Sequence, residues 1–179
     1  MNMSFLKQIE SIKVVVRLCA CAAVLLVLNA NAAGKTLRPG DQFPNLTEFG
    51  LDGTLPDLKE KVVLVDFWAS WCAPCKKSFP VMAELQQKFQ NRGFVILAVG
   101  LDEKKSAMDA FLKKNPLGLQ TVHDPKGKLA ETVGVEVMPT SFLVGADGKV
   151  IAVHRGFEGE STRKAYLAEI EKALVAANR

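Results

Sequence analysis

A Cys-Ala-Pro-Cys sequence at residues 72–75 constrains the fold of this chain more than any other feature. The residues before it, 61–68, are mostly apolar and are β-branched in their first half, a pattern typical of a buried strand. After it, apolar side chains recur at helical spacing from Cys75 to Phe89. The two cysteines are therefore expected where a strand ends and a helix begins.

This position predicts that the two sulfur atoms differ. Cys72 would lie at the helix N-terminus, where free N–H groups and the helix dipole lower the pKa of a thiol. Cys75, one turn later, would be more buried and remain a thiol. The asymmetry indicates a redox-active dithiol in which Cys72 attacks a disulfide and Cys75 resolves the product.

A structural disulfide and half of a zinc site are the alternatives for such a pair. Zinc requires four ligands, but Cys19 and Cys21 lie in a segment that we expect to be removed, and His123 and His154 stand alone in the sequence. A disulfide that closes so small a ring constrains the unfolded chain little. Both points favour the redox dithiol, and we predict no metal and no cofactor beyond the disulfide itself.

Three stretches of the sequence carry a resemblance to a known family. Residues 65–76, Val-Asp-Phe-Trp-Ala-Ser-Trp-Cys-Ala-Pro-Cys-Lys, resemble the active-site segment of the thioredoxin superfamily. Residues 137–140, Val-Met-Pro-Thr, are similar to the loop whose cis-proline faces the dithiol there, and Pro80 stands where thioredoxins carry a helix proline. The resemblance covers residues 40–177 and is closest to the periplasmic TlpA/ResA-like branch, thiol reductants associated with cytochrome c maturation. It implies a thioredoxin-like α/β sandwich.

The resemblance also implies roles for individual residues. Asp66 matches the buried aspartate that passes protons to and from the resolving thiol, and Pro139 matches the cis-proline. The backbone of Met138 would pair with an extended substrate peptide, and Trp71 would shield the attacking sulfur. The predicted substrate-binding residues are Trp71, Ala73, Pro74, Met138 and Pro139.

Asp66 is informative in its own right, because a carboxylate within a run of Val, Leu and Phe is costly to bury without a task or a partner. Burial raises the pKa of a carboxyl group, which suits acid–base chemistry near neutral pH. An exposed aspartate at the rim of the strand is the alternative. The sequence departs from the ResA-like pattern at Ser78, where those reductants carry glutamate, and this departure leaves the proton-transfer role to Asp66.

The residues between the cysteines bear on the direction of the reaction. Strong oxidants place a histidine there, whereas Ala73 and Pro74 supply neither a charge nor a side-chain donor to a thiolate. We therefore expect a reducing dithiol, nearer to thioredoxin (about −270 mV) than to DsbA (about −120 mV). A disulfide oxidase or isomerase is the alternative. A thiol peroxidase is disfavoured, since Ala69 stands where peroxiredoxins carry a threonine.

The N-terminal segment favours export. Three basic residues precede an apolar stretch from Leu18 to Leu28, and small residues follow at the spacing of a signal-peptidase site. We predict a signal peptide at residues 1–32 and a mature domain at residues 33–179, located in the periplasm or cell envelope. The alternative is an uncleaved N-terminal anchor in the inner membrane, with the domain facing the periplasm.

Charge and compartment narrow the expected partners. The formal net charge of +4 comes with no basic run interleaved with aromatic residues, so nucleic-acid binding is not predicted. The resemblance implies protein disulfide or dithiol substrates, for example apocytochrome c with its own Cys-x-x-Cys. It also implies a membrane thiol electron donor of the CcdA/DsbD type, because a reductant in an oxidising compartment must be reduced again after each turnover.

Elsewhere the chain alternates strands and helices. The turn-rich residues 34–60 predict an N-terminal hairpin that covers a sheet edge. Residues 94–99 predict a second buried strand, and residues 102–133 predict a helix, a short strand and a short helix, which match the central insertion of the TlpA-like branch. His123, in a turn, is expected to be solvated. Residues 140–153 predict a hairpin, which a closing helix follows.

Overall fold

Five β-strands and four α-helices follow one another in the computed structural model, which describes residues 36–177. The predicted signal peptide, residues 1–32, lies outside this range. No helix within it is both long and apolar enough to cross a membrane. In chain order the elements are β1 (Val62–Trp68), α1 (Ala73–Phe89), β2 (Phe94–Gly100), α2 (Lys105–Lys114), β3 (Gln120–His123), α3 (Lys128–Val133), β4 (Thr140–Val144), β5 (Val150–Arg155) and α4 (Glu160–Ala177).

The strands form one mixed sheet in the order β3-β2-β1-β4-β5. β1, β2 and β3 are mutually parallel, whereas β4 and β5 run antiparallel to their neighbours. The parallel pairs require crossover connections, which α1 and α2 provide. β1 lies at the centre, and all 7 of its residues are buried because both faces of the sheet are covered there. This topology confirms the predicted α/β sandwich.

Alternating side chains of β1 enter two different cores. Val63 and Val65 pack with α3 and with the N-terminal segment on one face of the sheet. Val62 and Leu64 pack with α1 and α4 on the other face. Because successive strand residues point to opposite faces, Asp66 projects to the same side as Val62 and Leu64. The sheet thus delivers this carboxyl group to the side on which α1 lies.

Residues 36–60 differ from the prediction, since no pair of strands forms there. A short 3₁₀ helix, Leu46–Glu48, interrupts the segment, and Phe43 buries its side chain against the sheet. Short apolar pieces of this kind remove more surface from water by packing on an open sheet face than by pairing with each other. The segment still covers the sheet edges through isolated bridges, which join Gln42 to Lys149 next to β5 and Asp52 to His123 in β3.

The predicted central insertion and the C-terminal hairpin are confirmed, with shifted ends. α2 begins at Lys105 rather than at Asp102, because the Asp102 carboxylate instead accepts hydrogen bonds from Ser70 in the loop after β1. The second strand of the hairpin extends to Arg155. These shifts leave the order of the elements unchanged.

Alanine at Gly134 should destabilise the fold more than alanine at Gly93. Gly134 ends α3 with a φ of +76°, and a Cβ atom there would lie 2.5 Å from the Cα atom of Thr36. Gly93 has a similar φ of +83°, but no atom lies within 4 Å of such a Cβ. We predict that G134A lowers the free energy of unfolding by about 3 kcal/mol and G93A by about 1 kcal/mol. Urea unfolding measures both, and equal losses would contradict the importance of the Thr36 contact.

Candidate active site

A disulfide between Cys72 and Cys75 lies where β1 gives way to α1. Cys72 is the N-cap residue of the helix, and its Sγ atom accepts a hydrogen bond from the backbone N–H of Cys75 at 3.2 Å. Cys75 is fully buried, whereas Cys72 is 4 % exposed. The strand-to-helix junction predicted from the sequence is therefore confirmed.

This geometry makes the two sulfur atoms chemically different. After reduction, the N–H of Cys75 and the positive end of the helix dipole can stabilise a thiolate on Cys72. The thiol of Cys75 packs in an apolar cluster with Trp68 and Phe79, where ionisation would cost it solvation. Cys72 is thus placed to act as the nucleophile, and Cys75 is placed to resolve a mixed disulfide.

Asp66 lies in the interior of β1 and is 1 % exposed. Its neighbours in the sheet are Ala98 on β2 and Ser141 on β4. The Oδ1 atom of Asp66 is buried and has no hydrogen-bond partner among the described residues. Burial raises the pKa of Asp66 to about 8. The structure therefore excludes the exposed alternative for this residue.

Asp66 and Cys75 share one apolar region of the core. Trp68 lies two residues further along the same face of β1, and Ala98 lies beside Asp66 on β2. Both side chains belong to the cluster that contains Cys75. A carboxyl group whose pKa burial raises to about 8 thus lies next to side chains that pack with Cys75.

Ser78 is buried in α1, where it donates its hydroxyl proton to the carbonyl oxygen of Cys75 at 2.8 Å. A serine hydroxyl held in this way supplies no group that titrates near neutral pH. The chain therefore has no second carboxyl group at the position where ResA-like reductants carry glutamate. Asp66 is therefore the candidate for proton transfer with Cys75.

The loop at residues 137–140 lies beside the disulfide. The Met138–Pro139 peptide bond is cis, as predicted. Met138 packs against the cluster that contains both cysteines. The hydroxyl of Thr140 donates to the carbonyl oxygen of Val137 at 2.7 Å and closes the loop. The loop thus presents its backbone next to the reactive sulfur atoms.

An exposed apolar surface flanks the disulfide. Trp71, directly before Cys72, is 66 % exposed, and Val137, directly before Met138, is 50 % exposed. The two residues between the cysteines are exposed as well. Of these exposed residues, only Val137 is missing from the substrate-binding residues predicted from the sequence. Its exposure depends on the path of the loop. A partner that reaches Cys72 must contact this surface.

Sequence reasoning also missed a polar network beside the site. Asp102 accepts two hydrogen bonds from Ser70, at 2.9 Å from its N–H and at 2.5 Å from its hydroxyl, and so fixes the loop that leads to Trp71. The prediction of a solvated His123 is wrong. Its ring is buried, with Nε2 2.7 Å from the carbonyl oxygen of Asp102 and Nδ1 3.2 Å from Oδ2 of Asp52. The sequence could have indicated the contact between His123 and Asp102. Both residues come at the ends of neighbouring parallel strands, and such strands end together at one edge of a sheet.

Known proteins share this arrangement. Residues 38–170 match the family model described as Redoxin. The chain belongs to the Redoxin family. It is similar to the thiol-disulfide oxidoreductase ResA of Bacillus thuringiensis subsp. konkukian, with 35 % identity over 163 residues that cover 88 % of this chain and 94 % of that protein.

Two solved structures support the same conclusion. A thiol:disulfide interchange protein DsbE from Chlorobium tepidum is 40 % identical, with a TM-score of 0.72 over 78 % of this chain and 99 % of that chain. The exposed lipoprotein thioredoxin Etrx1 from Streptococcus pneumoniae is 31 % identical, with a TM-score of 0.57 over 65 % of this chain and 87 % of that chain. These neighbours confirm the thioredoxin-like fold. With the ResA relatives and the Cys72–Cys75 disulfide, they make this redoxin a thiol–disulfide oxidoreductase.

The raised pKa of Asp66 predicts that the oxidised protein loses stability as the pH rises from about 4 to about 8. The unfolded chain releases this proton above its ordinary pKa of 3.8, whereas the folded protein retains it up to a pKa of about 8. Between these values the group removes about 1.4 kcal/mol of stability per pH unit. D66N should flatten the dependence, so its advantage over the wild type in urea unfolding should grow from pH 5 to pH 8. Parallel stability curves for the two proteins would contradict the raised pKa.

Proposed function

We propose that this redoxin reduces disulfide bonds of proteins outside the cytoplasm. The observation that carries the proposal is the asymmetry of the pair. Cys72 caps a helix and keeps 4 % of its surface exposed beside exposed Trp71, while Cys75 is fully buried next to side chains that lie beside Asp66. A purely structural disulfide would need neither a buried carboxyl group nor an exposed apolar surface beside it.

Reduction of the substrate takes two thiol–disulfide exchanges. The Cys72 thiolate attacks a substrate disulfide, so that a mixed disulfide forms and one substrate thiolate leaves and takes up a proton. The Asp66 carboxylate then accepts the proton of Cys75, whose thiolate attacks the Sγ atom of Cys72 and releases the second substrate sulfur. Two electrons pass to the substrate, and the protein is left with the Cys72–Cys75 disulfide seen in the structure.

The disulfide must then be reduced again by a thiol donor. The donor thiolate attacks Cys72, and Cys75 leaves. Protonated Asp66 gives its proton to the leaving sulfur, so that no thiolate remains in the apolar cluster. A second thiol of the donor then attacks the donor sulfur of the mixed disulfide and releases Cys72, which completes the two-electron reduction. A pKa of about 8 lets Asp66 serve as acid in this half of the cycle and as base in the other half. We propose a membrane donor of the CcdA/DsbD type.

The residues between the cysteines support the reducing direction. Ala73 and Pro74 present neither a charge nor a side-chain donor to Cys72, and Pro74 also lacks a backbone N–H. A Cys72 thiolate is therefore stabilised less than in a strong oxidant, which favours the disulfide form and makes the dithiol reducing. The names of the relatives, thiol-disulfide oxidoreductase and thiol:disulfide interchange protein, agree with exchange chemistry.

The exposed surface around the disulfide favours an extended substrate. Trp71 and Val137 offer apolar contacts, and the backbone beside Met138 can pair with an extended peptide. A disulfide within an unfolded chain can approach such a surface more closely than one inside a folded domain. Apocytochrome c, with its own Cys-x-x-Cys, is the substrate that we propose.

Two observations support an extracytoplasmic location. Residues 1–32 carry the basic, apolar and small-residue pattern of a signal peptide. The pneumococcal relative is described as an exposed lipoprotein. We place this protein in the periplasm or cell envelope, with cleavage after Ala32. The mass of the protein purified from envelopes distinguishes cleavage from an uncleaved inner-membrane anchor.

The Cys72–Cys75 pair is predicted to have a reduction potential near or below about −230 mV. The two uncharged residues between the cysteines are the physical reason, since they stabilise the reduced form little. Equilibration of the purified protein with thiol buffers at neutral pH measures the potential, and C72S serves as the variant without exchange. A value near −120 mV, typical of DsbA, would identify an oxidase and contradict the proposal.

Removal of the Trp71 side chain should impair protein substrates selectively. W71A is predicted to raise the KM for a disulfide within an unfolded peptide about tenfold, because exposed aromatic residues often carry much of the binding energy. Turnover of a small disulfide should change less than twofold by the same argument. V175A, which truncates another exposed apolar side chain on the last helix, is the matched control and should alter neither value. Equal losses for both substrates in W71A would show that Trp71 serves the chemistry rather than binding.

A further inference from the structure

A row of polar side chains crosses the sheet from Asp66 to the edge. Ser141 on β4 lies directly opposite Asp66 on β1, and His154 on β5 lies directly opposite Ser141. Residues opposite each other on antiparallel strands project from the same face, with Cβ atoms about 5 Å apart. The three side chains therefore lie side by side on the face that α4 covers.

Tyr166 of α4 lies over this row. Its hydroxyl oxygen is 2.5 Å from the Oγ atom of Ser141, and both residues are 1 % exposed. Its ring also meets the ring of His154 edge to face, with centroids 4.6 Å apart. His154 in turn places Nε2 2.6 Å from Oε2 of Glu169 on the same helix as Tyr166. These contacts hold the Tyr166 hydroxyl at Ser141.

One of the two O–H groups of Ser141 and Tyr166 is free to donate a further hydrogen bond. Two hydroxyl groups that share one hydrogen bond use one of their two O–H protons and leave the other available. Neither the Ser141 nor the Tyr166 hydroxyl makes a second hydrogen bond to the described residues. On the neighbouring strand, the Oδ1 atom of Asp66 is a buried acceptor to which no donor from residues 36–177 points. An available donor and an available acceptor thus lie next to each other in the core.

The other elements packed against Asp66 supply no comparable donor. β2 contributes Ala98, and α1 contributes Cys75, whose sulfur is in the disulfide. The indole N–H of Trp68 is unpaired within residues 36–177, but its ring is held in place. The rings of Phe79 and Phe111 lie against it, with centroids at 5.1 and 5.6 Å. The small Ser141 side chain, by contrast, can change its rotamer about the Cα–Cβ bond and so redirect its hydroxyl.

We propose that Ser141 and Tyr166 act together as the hydrogen-bond donors to the ionised form of Asp66, an inference that rests on the acid–base role of Asp66 proposed above. When Asp66 is protonated, the two hydroxyls bond to each other, as in the structure. When Asp66 is ionised, the Ser141 side chain rotates about its Cα–Cβ bond and donates its O–H to the carboxylate, and Tyr166 donates to the Oγ atom of Ser141. Both are positioning residues, since their action on the thiols passes through Asp66.

The electrostatics of Tyr166 agree with a donor that does not titrate. Burial raises the pKa of the Tyr166 hydroxyl, and the charges of Asp66 and Glu169 raise it further. Tyr166 therefore keeps its proton throughout the range in which Asp66 gains or loses one. No lysine or arginine of the described residues takes part in this row, so the hydroxyl pair would do by hydrogen bonding what a buried cation does by charge.

Two variants remove one hydroxyl each and keep the remaining side chain, Y166F and S141A. S141A removes the donor to the carboxylate, and Y166F removes the hydroxyl that donates to Ser141 and strengthens its bond to the carboxylate. Both should raise the pKa of Asp66, by about one unit. Carbon-13 NMR of the Asp66 carboxyl group in the oxidised protein measures this shift. The same variants are then tested kinetically, because a merely structural role would not move the pH profile of one step alone.

The kinetic test uses the reduced protein and the chromogenic disulfide DTNB in equal amounts. The first thiolate released reports the attack by Cys72, and the second reports the attack by Cys75 on the mixed disulfide. In Y166F and S141A the second phase should slow about tenfold at pH 7, and its pH profile should move up by about one unit. The first phase should stay unchanged.

Three comparisons isolate the hydroxyl pair. T162V removes another buried hydroxyl of α4, which accepts a hydrogen bond from the N–H of Glu158, and should shift neither readout. The double variant S141A/Y166F should shift the Asp66 pKa no further than either single variant if the two hydroxyls act as one unit. In a D66N background, Y166F should leave the second phase unaltered.

An unchanged Asp66 pKa in both single variants overturns the inference. The proposed function then stands if D66N still slows the second phase. If the second phase of D66N is as fast as that of the wild type, the acid–base role of Asp66 fails instead. A raised Asp66 pKa in Y166F would in that case still support the hydroxyl pair as its donor.

Discussion

Asp66 and Cys75 occupy one apolar region that water does not solvate, and this shared burial governs the chemistry of the site. Burial opposes ionisation of either group, and for Asp66 it raises the pKa to about 8. In the proposed cycle, a proton that moves between them ensures that Asp66 and Cys75 never carry a negative charge at the same time. The cost of burial thus couples a carboxyl group and a thiol that are far apart in ordinary acidity.

The scaffold meets this constraint by using one strand for two purposes. β1 is buried on both faces, so it can hold Asp66 in the core, and its carboxyl end delivers the chain to the N-terminus of α1. There Cys72 caps the helix directly after exposed Trp71. The neighbouring parallel strands end at the same edge, where Asp102 and His123 hold the loop that precedes Trp71. Reactivity and rigidity therefore arise at the same end of the sheet.

The sequence correctly predicted those features that depend on residues near one another in the chain. The strand before Cys72, the helix after it and the burial of Asp66 follow from periodicity over a few residues. The prediction of an N-terminal hairpin was wrong because the apolar residues of this segment pack on the sheet rather than on each other. The prediction of a solvated His123 was wrong because its partners, Asp52 and Asp102, are distant from it in the sequence.

The sequence by itself determined the identity of the reactive pair, the type and order of the main elements, and the need for a buried carboxyl group, since these depend on local patterns and on residue chemistry. Only the tertiary structure decided which side chains surround that carboxyl group. The register between β1 and β4 sets Ser141 opposite Asp66, and the packing of α4 brings Tyr166 to Ser141. Strand register and helix docking are long-range choices, and a shift of one residue would turn Ser141 to the other face of the sheet.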